Sequence, residues 1–154
     1  MVSHRSNDIR IKTKVGDRLV SNFALWEFEN QDGWVMIQPL TIKTLELTRA
    51  ELNVRSTSGE VQIIITGSTR TQEQNERLAY RLGWTTNGGL VSPTSRHLAR
   101  YGGDAVDFFA RYAHNKKLVP LEEVANVARH YFDSVFIYMT SRHIHGDNRQ
   151  KLSQ

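Results

Sequence analysis

Apolar residues recur along this chain in two rhythms. Val61-Gln62-Ile63-Ile64-Ile65-Thr66 is short and β-branched, which predicts a buried strand. Ala105-Val106-Asp107-Phe108-Phe109 and Val135 to Met139 predict two more, and His143 to Asn148 predicts a hairpin partner for the last. Near the start, Ile9 and Ile11 alternate with polar residues and predict a short strand over Ile9–Lys14. The second rhythm is helical. Leu40 to Leu52 carries Leu40, Thr44, Leu47 and Glu51 on one row and Ile42, Leu45 and Leu52 on another, just after Pro39, a residue suited to a first helical turn. Thr71 to Leu82 predicts a second helix, with Thr71 as N-cap, Gln74 completing a capping box and Gly83 as its stop. Pro120 to Phe132 predicts a third, with Leu121, Val124, Ala125, Ala128, Tyr131 and Phe132 on one side.

The connections are equally legible. Asn22 to Phe28 is an aromatic-rich turn or short helix, Asp32-Gly33 is a turn and Ser56 to Gly59 a loop. Thr85 to Ser95 contains Asn-Gly-Gly and Ser-Pro and predicts a long loop, a kind of segment that often carries function. Strands separated by helices and ending in antiparallel strands predict an α+β fold: a single domain with a central, mostly antiparallel sheet and flanking helices. Residues 1–20 read as an N-terminal arm, 21–150 as the domain and 151–154 as a tail.

Composition narrows the chemistry. A chain of 154 residues can bury one core. It has no cysteine, which excludes a disulfide scaffold, a thiolate zinc site, an iron–sulfur cluster and a cysteine nucleophile. Any metal therefore falls to His, Asp or Glu. The net charge of +4 serves solubility and permits attraction to a polyanion. Neither zinc-finger spacing nor a helix-turn-helix is present, so no specific nucleic-acid partner is expected. No apolar stretch approaches the ~18–20 residues of a membrane span, and Met1 to Lys14 lacks an apolar signal region, so neither a membrane partner nor a secretory signal is expected.

Within that frame three segments can carry chemistry. His97 closes the Gly/Pro/Ser loop. Asp107 lies inside an apolar strand, where a buried carboxylate needs a metal, an Arg or a backbone turn as partner. His143 and His145 are two apart on a strand and so share one side. Two imidazoles and one carboxylate suffice for a catalytic zinc ion, which uses three protein ligands and one open position. Each of these residues also suits an ordinary structural role. Trp26, Trp34 and Trp84 either line a cleft or pack at core edges.

The motifs resemble a known family. Ile65-Thr66-Gly67-Ser68-Thr69-Arg70-Thr71, followed by Asn75, resembles the SGYR…N segment of zinc D-Ala-D-Ala carboxypeptidases and related murein peptidases. Gly88-Gly89, Ser95-Arg96-His97-Leu98 and Gly103-Asp104-Ala105-Val106-Asp107 resemble that family's GG…S-x-H-L…G-x-A-x-D. His145-Gly146-Asp147-Asn148-Arg149 resembles its terminal H-x-D-x-R, and Asn22 to Phe28 its F-x-x-x-E-F opening. The resemblance implies a Hedgehog/DD-peptidase fold and one zinc ion held by His97, Asp107 and His145. It places Arg70 beside the metal, able to polarise or clamp a substrate oxygen. The implied reaction is amide hydrolysis in a peptidoglycan stem peptide or its cross-link, with a carboxylate near the ion taking the water's proton.

Two positions depart from the pattern. Relatives place six residues between the first His and the Asp; here nine intervene, as though Ala99-Arg100-Tyr101 were inserted, with Gly102-Gly103 able to loop them out. Where many relatives carry an acid three residues before the last His, this chain has Arg142. Asp147 and His143 are the substitutes for that proton acceptor, and Asp147 equally suits a salt bridge to Arg149. The expectation is a zinc-dependent peptidoglycan peptidase, phage-encoded, made in the host cytoplasm without a signal peptide and reaching the wall through a holin or within a virion. The rival expectation is a virion component, bound to other phage virion proteins, that keeps this scaffold with a degenerate or structural metal site.

Overall fold

The structure, a computed structural model, describes residues 9–30, 32–70, 73, 74, 77, 78, 97 and 104–152. Two short strands, β1 (Thr13–Val15) and β2 (Arg18–Val20), form an antiparallel hairpin. A 3-10 turn follows at Leu25–Phe28, then helix α1 (Pro39–Arg55) and strands β3 (Val61–Gly67) and β4 (Val106–Tyr112). Helix α2 (Leu121–Ala128), strands β5 (Ser134–Tyr138) and β6 (His143–Asp147), and a short helix α3 (Arg149–Leu152) complete the chain. Strands β3 to β6 make one antiparallel sheet in the order β3-β4-β6-β5. The result is a single α+β domain, as the pattern predicts.

Local chemistry explains where the elements depart from expectation. The first strand is not Ile9–Lys14 but Thr13–Val15, because Gly16, at φ 61, turns the chain back onto Arg18–Val20. Thus part of the expected N-terminal arm is a hairpin packed on α1. Helix α1 starts at Pro39 and runs on to Arg55, where the Ser56 N–H donates to the Leu52 carbonyl at 3.0 Å. Its buried face carries Thr41, Thr44, Glu46 and Thr48 among Ile42, Leu45 and Leu52. The threonine hydroxyls tolerate burial because each donates to a carbonyl: Thr44 to Thr41 at 2.9 Å, Thr48 to Thr44 at 2.7 Å and Thr41 to Asp104 at 3.0 Å. Helix α2 ends at Ala128, four residues before the expected Phe132, which nonetheless stays in the core. Residues 73, 74, 77 and 78 of the expected helix Thr71–Leu82 are helical. Thr71, Gly83, Asn75, Trp84 and the loop Thr85–Ser95 lie outside the described residues.

The pleat sorts the sheet into two faces. Val61, Ile63, Val106, Phe108, Ala110, Ile144, Val135 and Ile137 join α1 and α2 in one hydrophobic core. The alternate residues Asp107, His143, His145, Phe136 and Tyr138 belong to the opposite face. There Gly67, Asp107, His145 and Phe136 lie side by side across the four strands. Among the described residues no helix is long and apolar enough to cross a membrane.

Candidate metal centre

Asp107 and His145 are direct cross-strand partners on β4 and β6, so register alone makes them neighbours. His97 arrives from outside both strands, ten residues before Asp107. Its Nε2 lies 3.1 Å from Asp107 Oδ1 and 3.2 Å from His145 Nδ1, and the third edge, His145 Nδ1 to Asp107 Oδ1, is 3.3 Å. The additional residues between His97 and Asp107 therefore do not separate the pair. All three side chains are largely buried.

The outer edges of both imidazoles are occupied. His97 Nδ1 donates to the Ser68 carbonyl at 2.9 Å, since a carbonyl can only accept. The Arg70 N–H in turn donates to the His97 carbonyl at 2.5 Å. His145 Nε2 donates to Asp147 Oδ2 at 2.9 Å. Asp147 is fully buried and accepts from Arg149 Nε at 2.8 Å and Nη2 at 2.5 Å. With those ring protons pointing outward, neutral imidazoles aim His97 Nε2 and His145 Nδ1 as lone pairs at the same point as Asp107 Oδ1. Three lone pairs this close repel unless a cation lies between them. A tetrahedral ion with ligands at ~2.0–2.1 Å sets its donors ~3.3–3.4 Å apart, close to the triangle found here. The donor set and its backing therefore fit one divalent ion, whose identity the residues do not fix.

Electrostatics agree. Without a metal, burial disfavours charge on His145, but hydrogen bonds and charge from Asp107 and Asp147 outweigh it and push the imidazole up to about 9. Burial would raise the Asp107 carboxyl, yet His145 and His97 hold it well below the usual carboxylate range. Asp147 is likewise held low against burial, by Arg149 first and His145 second. A proton on His145 thus occupies the role that an ion would take over.

The other expected site residues take distinct places. Arg70 lines a cavity of about 320 Å³ that also touches His97, Asp107, Ser68, Glu29 and Gln74. Burial lowers its pKa, with Asp107 and Tyr138 acting in the opposite direction. His143 brings Nε2 to 3.7 Å from Asp107 Oδ2 and stacks on Tyr138, ring centroids 5.0 Å apart and 24° from parallel. It is not one of the three converging ligands. Asp147 lies behind His145 as a partner of Arg149, the salt bridge its spacing allowed. Trp34 is 61% exposed and Trp26 lines a separate cavity near Arg10 and Arg111.

No spacing in the sequence points to Ser68, whose carbonyl orients His97. Nor does any point to Phe136 or Tyr138, whose rings lie 5.7 and 6.5 Å from that of His145. Cross-strand register was the signal that could have found the two aromatics. Compared with protein-family models, curated proteins and solved structures, the chain matches none of them.

Proposed function

We propose that this chain is a zinc-dependent peptidoglycan peptidase, hydrolysing an amide bond of the stem peptide or its cross-link. One observation carries the reading: two imidazoles with outward-committed protons and one carboxylate converge on a single point at the edge of a cavity. The motif resemblance supplies the substrate class. A zinc ion held by His97, Asp107 and His145 would polarise the scissile carbonyl and activate a water molecule. Arg70, on the cavity wall, holds a substrate oxygen through its guanidinium. Asp147 is a positioning residue that fixes the ring of His145 and is itself clamped by Arg149. His143 Nε2, beside Asp107 and on the same face, takes the proton from water and returns it to the leaving amine. The basic charge favours contact with an anionic wall.

A second reading has an observation of its own. Arg142 stands, at φ 53, where the resemblance implies an acid, and Asp147 is committed to His145 and Arg149. That pattern favours a phage virion component with a structural ion. Purified cell walls and a zinc assay separate the two. The peptidase releases new amino groups from peptidoglycan, stops on chelation and restarts with Zn2+, whereas His97→Ala is inactive. A protein that binds zinc stoichiometrically and releases nothing is the scaffold.

A further inference from the structure

Strand β3 does not run in regular register beside Asp107. Ile65 pairs with Phe108, and the next partner of β4, Asp107, is met by Gly67 rather than Thr66. Thr66 is the extra residue of a β-bulge, a device that re-aims side chains beside functional sites. Unbulged pairing would place a threonine side chain beside the carboxylate; the bulge places a residue with none.

The space there is tight. A Cβ on Gly67 would lie 3.1 Å from Asp107 Oδ2, 3.4 Å from its Cβ and 3.6 Å from its Cγ. Ordinary cross-strand partners keep their Cβ atoms ~4.5–5.5 Å apart. Asp107 cannot yield without cost, because a shift would move Oδ1 off the point where it meets His97 Nε2 and His145 Nδ1. The residue after Gly67 is Ser68, whose carbonyl holds His97. Its hydroxyl donates to the Phe28 carbonyl at 2.7 Å, and Thr69 Oγ1 donates to the Met36 carbonyl, so this stretch is anchored on its far side. The end of β3 thus sets two ligands at once.

We infer that the Thr66–Gly67 bulge is the positioning device of the metal centre, and that Gly67 is required because any side chain there displaces the Asp107 carboxylate from the ion. The inference rests on the proposed metal site. A displacement of a few tenths of an ångström is enough, since ligand distances hold within about ±0.2 Å in a functional site. Gly67→Ala is therefore a metal-affinity variant, and Gln62→Ala, at the other end of β3 beside Arg111, is its neutral counterpart.

The test measures Zn2+ affinity by chelator competition, the visible spectrum of the Co2+-loaded protein, and urea unfolding of the metal-free protein. Gly67→Ala should bind Zn2+ at least ~10-fold more weakly and alter the Co2+ spectrum, while Gln62→Ala matches wild type. A double-mutant cycle guards against simple misfolding: in an Asp107→Ala background the Gly67→Ala change should lose most of its effect on metal-free stability, because the clashing oxygen is gone. Equal Zn2+ affinity of Gly67→Ala and wild type overturns the inference and leaves the metal site standing. So does an undiminished stability penalty in the double mutant. A wild-type protein that takes up no Zn2+ or Co2+ overturns both together.

Discussion

Strands β4 and β6 present two chemically opposite faces from alternating residues. On one, Val106, Phe108 and Ile144 are buried against the helices, and Phe108 stacks on Phe132 with ring centroids 5.8 Å apart. On the other, Asp107 lines a cavity and is approached by His143 at 3.7 Å and by His145 at 3.3 Å. The first face contributes stability by removing apolar area from water, roughly 1.5–3 kcal/mol per large side chain. The second contributes little of that kind, and its polar groups persist because each has a partner. A one-residue slip of either strand would exchange the faces, so the apolar packing also enforces the register that brings Asp107 opposite His145. Stability and site are thereby separable by residue parity.

The largest expected effects test that separation directly. Phe108→Ala should lower the unfolding free energy by about 3–5 kcal/mol in urea titration. Asp107→Ala should change metal-free stability far less, yet weaken Zn2+ binding by about 10²-fold or more in chelator competition. Similar losses of stability in both variants would break the contrast between faces. Next in size is the support behind the ligand. Asp147→Asn should lower Zn2+ affinity by about 10–100-fold through a loosened His145. Unchanged affinity would show that Asp147 serves packing alone.

The smallest effect is a pH dependence of the metal-free protein. His145 is raised to about 9 when folded, against ~6.5 when unfolded. Its contribution is therefore fully present below pH ~6.5 and declines as pH rises through about 9. Urea midpoints of metal-free protein should fall across that window, and Asp147→Asn should flatten the fall. A midpoint that rises between those limits would contradict the assignment of His145 as a partnered cation.

Much of the fold is legible in the pattern because β-branched runs and alternation encode burial directly. The four strands of the main sheet and the first and last predicted helices stand where the pattern puts them, within a few residues. The β1–β2 hairpin is not legible, because its three-residue strands are too short for any period and depend on the turn at Gly16. The buried face of α1 is obscured by Thr41, Thr44 and Thr48, which look polar until their hydroxyls are seen returning to carbonyls. For the site, parity puts His143 and His145 together. His97 lies outside both strands, and no local period points to it; motif order alone does. The bulge at Thr66–Gly67 leaves no trace in hydrophobicity, since it is a property of pairing between strands rather than of either strand.

The convergence of His97 Nε2, Asp107 Oδ1 and His145 Nδ1 on one point is best tested by X-ray absorption at the zinc edge of the Zn2+-loaded protein, with the metal content counted on the same sample. One ion per chain, with two imidazole nitrogens and oxygen ligands at ~2.0–2.2 Å, is the expected result. A protein that retains no zinc after buffer exchange, or a spectrum without imidazole ligands, would contradict it.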